Sequence, residues 1–102
     1  MTQSAAAGFQ LDTGTPGTLG VRGELSFDTA AAAWQAIRSA LAGAPVSQLD
    51  LADVRHSDSA GLACVLAIAA DAARRGQALR VVRMPAGMQS LAQVCEVDRL
   101  LA

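Results

Sequence analysis

Between Val46 and Arg75 the chain changes its hydrophobic period once, and that change leaves few folds open to it. In "PVSQLDLADV" the apolar residues Val46, Leu49 and Leu51 mark a central strand. From roughly Ser59 to Arg75 the buried stripe Leu62, Val65, Leu66, Ala69 and Ala73 recurs at helical spacing, and Gly76 stops it. A strand that feeds a helix begins a strand–helix–strand unit, and the rest of the chain completes it. "GFQLD" and "TLGVRGEL" alternate around the turn "TGTPG" and read as a hairpin. In "TAAAAWQAIRSALAG", Ala30, Trp34, Ile37 and Leu41 predict a helix that Ser26 or Asp28 caps and Gly43 ends. "ALRVVRM" is a further strand, and Met88, Leu91, Ala92 and Cys95 line a third helix. The order is β-β-α-β-α-β-α, an α/β fold with a mixed four-stranded sheet and three helices.

At 102 residues, 52% of them hydrophobic and 17% charged, the chain is expected to form one domain, residues 1–102, with a single core. A net charge of −1 with no basic block argues against a nucleic-acid partner. Lysine, tyrosine and asparagine are absent, a compositional bias that also removes any Walker-type lysine or Schiff base. Cys64 and Cys95 fall in apolar helical patterns without metal-ligand spacing and read as two buried free thiols. The N-terminal "MTQSAAAGF" lacks the basic and apolar regions of a secretory signal. The apolar run from Leu62 to Ala70 is too short to insert across a bilayer. A soluble cytoplasmic protein without a metal or cofactor is expected.

The polar stretch "RHSDSAGL", residues 55–62, joins the central strand to the second helix. That helix start lies at the carboxyl edge of the sheet, where sites in open α/β folds gather. Three chemistries compete for it. Ser57–Gly61 is one residue from G-x-S-x-G and lies at a strand-to-helix turn, as a nucleophile elbow does. A triad would need a histidine folding back from elsewhere, and His56 in the same stretch is the only histidine. A phosphate cradle fares no better, because the glycine-rich "GTPGTLG" links two hairpin strands and opens no helix. Helix capping by Asp58 or Ser59 accounts for two residues but not for Gly61. A glycine in a first helical turn costs roughly 1 kcal/mol against alanine, which points to close approach by backbone or by a partner. Ala60, Ala63, Ala67 and Ala70 add a smooth, weakly charged face suited to docking.

The segment "LDLADVRHSDSAGLACVL" resembles the STAS-domain signature, a buried strand followed by Asp-Ser-x-Gly-Leu and an apolar helix. The element order and length agree with that family over essentially the whole chain. The resemblance implies a binding module, not an enzyme, with Asp58, Ser59, Ala60, Gly61, Leu62 and Ala63 as the partner-binding residues. "DSAGLA" and the terminal "MQSLAQVCEVDRLLA" are similar to the MlaB-like branch. That branch implies docking on the ATPase subunit of an ABC transporter for phospholipids, at the cytoplasmic face of the inner membrane. The anti-sigma factor antagonist branch is the nearest alternative. It implies an anti-sigma factor and serine kinase as partners and Ser59 as the phosphorylated residue.

Overall fold

The computed structural model of the protein describes residues 8–101; the leader reading falls on residues 1–9, of which 1–7 lie outside the described residues. β1 (Phe9–Asp12) and β2 (Thr18–Leu25) form the hairpin. Helix α1 (Ala30–Gly43) then leads to β3 (Gln48–Ser57), and α2 (Ser59–Arg74) leads to β4 (Arg80–Val82). Helix α3 (Ala86–Val94) and a 3₁₀ turn, Asp98–Leu101, follow. The sheet order is β1-β2-β3-β4, antiparallel in the first pair and parallel in the other two. The expected element order and mixed sheet are both present.

Because the parallel strands are added in one direction, crossovers of one hand put α1 and α2 on the same face. That face carries Leu19, Val21, Leu25, Leu49, Leu51 and Val54, buried with Ile37, Val65, Ile68 and Met88 in one cluster. Gln10, Asp12, Arg22, Asp53 and Arg55 are exposed and belong to the other face.

Several local expectations are corrected. Arg55, His56 and Ser57 are strand rather than loop, because Glu24 and Leu25 of β2 pair with His56 and Ser57 and satisfy the backbone there. Val46 precedes that strand and is half-buried. Neither Ser26 nor Asp28 caps α1 through its side chain. The Ser26 carbonyl instead accepts the Thr29 and Ala30 N–H groups at 3.0 and 2.8 Å. The Thr29 hydroxyl closes the same turn, accepting the Ser26 N–H and donating to the Glu24 carbonyl, both at 2.9 Å. On α1, Ala33 is buried, whereas Ala30 and Trp34 are half-buried, with the Arg38 guanidinium over the indole.

The buried arc of α2 is Gly61, Leu62, Cys64, Val65, Ile68 and Ala72; Leu66 and Ala69 flank it and Ala73 is exposed. The helix is turned because its start lies against β2. A Cβ on Gly61 would meet the Leu25 carbonyl oxygen at 2.0 Å, so only glycine fits that crossing. Cys64 is buried, and burial pushes its thiol up to about 11. Cys95 is exposed, because α3 ends at Val94 and the helical pattern does not continue through it.

Gly61→Ala must displace backbone rather than a flexible side chain. We expect a loss of about 3 kcal/mol or more, at the upper end of overpacking costs. Urea unfolding of the variant beside the wild type measures it, and an unchanged midpoint would contradict the contact.

Candidate functional site

The site begins at Asp58, the one residue between β3 and α2, which adopts an extended backbone. Its carboxylate Oδ1 accepts the Ala60 and Gly61 N–H groups at 2.9 and 3.1 Å. Two of the donors that any helix start leaves unpaired are thereby satisfied. The second oxygen, Oδ2, accepts the Phe27 N–H at 3.1 Å from the turn after β2. One side chain therefore caps α2 and fastens a segment 31 residues earlier to it. By sequence alone either Asp58 or Ser59 can cap α2; the geometry assigns the cap to Asp58.

These bonds favour the charged form. The Phe27 N–H, then the Gly61 N–H, hold the Asp58 carboxyl below its ordinary value, with smaller help from the Ala60 N–H and the charge of His56.

Ser59 is the first residue of α2 and is exposed, and among the described residues its hydroxyl makes no hydrogen bond. His56 is an exposed β3 residue whose Cα partner is Glu24. Ala63 and Ala70 are exposed, and Ala60 and Ala67 are half-buried. Gly61 and Leu62 are buried, so they shape the turn from inside and present no side chain to a partner. The six residues singled out from sequence thus divide into Asp58 as organiser, Gly61 and Leu62 as support, and Ser59, Ala60 and Ala63 as surface.

One surface residue escaped sequence reasoning. Phe27 is 82% exposed, and its backbone is tied to the helix start through Asp58. The available signal was a large apolar residue between Ser26 and Asp28, in a turn and outside both apolar patterns.

A family model described as "Mlab, STAS domain" matches residues 10–102. No curated protein matches the chain. Among solved structures, the anti-sigma factor antagonist SpoIIAA in its unphosphorylated form superposes with a TM-score of 0.69. The two are 18% identical, over 92% of this chain and 85% of that one. The Bacillus cell fate determinant SpoIIAA in its phosphorylated form gives a TM-score of 0.65 at 21% identity, over 92% and 88%. At these identities the likeness is one of fold.

Asp58 has a lowered pKa when folded, so its contribution is complete above the ordinary value of 3.8 and is lost as pH falls through the lower folded value. Asp58→Asn should therefore be less stable than wild type at neutral pH, and the gap should close below pH 3.8. Urea midpoints across that range check it; a gap that persists in acid would show that charge is not what the site uses.

Proposed function

Because the chain belongs to the MlaB-type STAS domain family, we propose that it is a non-enzymatic subunit that docks on the ATPase of an ABC phospholipid-trafficking complex. On this reading it binds through the start of α2, stabilises or activates the ATPase, and works at the cytoplasmic face of the inner membrane. The observation that carries the choice of surface is Phe27, 82% exposed and fastened by Asp58 beside the exposed Ser59. An exposed aromatic whose backbone is tied to a helix start of small residues is the composition of an interface anchor with room for close approach. Asp58 fixes both parts in advance, which lowers the ordering cost of binding.

A second reading takes Ser59 as a regulatory phosphorylation site in an anti-sigma factor antagonist. The supporting observation is the exposed Ser59 hydroxyl, without a hydrogen bond among the described residues, at a helix N-terminus. A phosphate there would meet the favourable end of the α2 dipole, with Asp58 opposing it.

Ser59→Arg or Ala63→Arg would put a charge into a desolvated contact, a penalty on the order of 3–5 kcal/mol when unpaired. Both positions are exposed, so the fold should survive while co-purification with the ATPase is lost. Phe27→Ala should weaken binding in the same assay, and Ser59→Thr should keep it. Wild-type recovery of the partner with Ser59→Arg would place docking elsewhere. Intact-mass measurement of protein from growing and stressed cells separates the two readings. A phosphorylated pool that varies with stress would favour the antagonist.

A further inference from the structure

The face of the sheet away from the helices is not flat. Across β1, β2 and β3 it holds a cleft of about 400 Å³, lined among others by Phe9, Arg22, Gly23, Asp53 and Arg55. Two backbone irregularities build it. Gly23 has a φ of +94°, and a Cβ there would meet the Gly8 carbonyl oxygen at 2.7 Å, so the start of β1 presses close onto β2. The next step of the ladder runs from Gly23↔Val54 to Glu24↔His56, which leaves Arg55 as the extra residue of a β-bulge. Bulges re-aim side chains and bend the strand that carries them. Here the bulged residue lines the same cleft as Arg22.

The charges of the cleft are unbalanced. Arg38, Arg74 and Arg75 all face Asp71, and Arg83 is held by Asp50. Neither Arg22 nor Arg55 forms an ion pair among the described residues. Asp53 is the Cα partner of Arg22 and lines the same cleft, so its lining sets two guanidinium groups against one carboxylate; Asp12 and Asp50 line the adjoining hollow with Arg22, and Asp50 is already held by Arg83. Guanidinium forks match phosphate oxygens, and the volume lies in the range of small-ligand sites.

We propose that this cleft binds a small organic phosphate. Arg22 and Arg55 take the phosphate, the body lies over the Gly23 backbone and the backbone of Phe9, whose side chain belongs to the core, and Asp53 accepts a hydrogen bond from a hydroxyl or amine. A soluble nucleotide or sugar phosphate and a phospholipid headgroup share this chemistry. The site uses none of the residues assigned to docking, so it stands or falls apart from that reading.

The test titrates isotope-labelled protein with adenosine monophosphate and, separately, with glycerol 3-phosphate, following backbone amide signals. A parallel arm sediments the protein with vesicles of phosphatidylglycerol and of phosphatidylcholine. We expect saturable shifts centred on Arg22, Gly23 and Arg55, or vesicle binding, either weakened roughly tenfold or more in Arg22→Gln/Arg55→Gln. The melting temperature should not change, since both side chains are exposed; each single variant gives the same readout if the double one unfolds. Shifts with the soluble phosphates identify a soluble ligand, and vesicle binding alone identifies a headgroup. No response in either arm, binding retained by the variants, or shifts centred on Arg38, Arg74 and Arg75 would overturn the proposal.

Discussion

The Asp58 carboxylate is the interaction on which the arrangement of this protein rests. It is the only link in the chain between β3 and α2, and it accepts three backbone N–H groups from two segments far apart in sequence. The same few residues bring Gly61 against the Leu25 carbonyl, where no Cβ can enter. Cap and crossing act together. The first fixes where α2 begins, and the second fixes how it is rotated against the end of β2. The rotation then selects Cys64, Val65, Ile68 and Ala72 for the core and leaves Ser59 and Ala63 outside.

A cap of this kind is common in helices, but here its second oxygen holds the turn that displays Phe27. A stabilising contact and the proposed docking surface therefore share one side chain. The neighbouring turn is built with similar economy. Buried Ser26 and Thr29 exchange hydrogen bonds with each other and with Glu24, so the polar groups of the turn that carries Phe27 are satisfied. The two sheet faces then divide the chemistry. The helix-covered face is apolar throughout, and the other carries the charged residues and the bulge at Arg55.

What could be read in advance depended on whether a pattern was local. The β2 segment "TLGVRGEL" matches its strand residue for residue, because a hairpin with period-2 alternation and glycine-rich turn chemistry is specified within a few neighbours. The expected strand "PVSQLDLADV" stops before Arg55–Ser57, where no apolar residue marks it, and the period breaks within β3: Leu49 and Leu51 are two apart, but Val54 follows after three. The register irregularities that cause this exist only once β2 lies alongside. Cys95 is exposed for a related reason, since the apolar periodicity continues past the point where α3 stops.

The sequence by itself determined the element order, the mixed sheet, the apolar core of the strands and the placement of "DSAGL" at a strand-to-helix junction. Those properties follow from hydrophobic period, turn residues and the direction in which strands must be added. It also showed that Gly61 needed an explanation beyond capping. Only the tertiary structure decided that the explanation is the Leu25 backbone, that Asp58 and not Ser59 is the cap, and that Phe27 stands beside it. The capping bonds of Asp58 are local, but the Leu25 approach and the place of Phe27 depend on contacts between the end of β2 and the start of α2, more than 30 residues apart. No local pattern encodes a contact of that range, because it is set by how two finished elements pack.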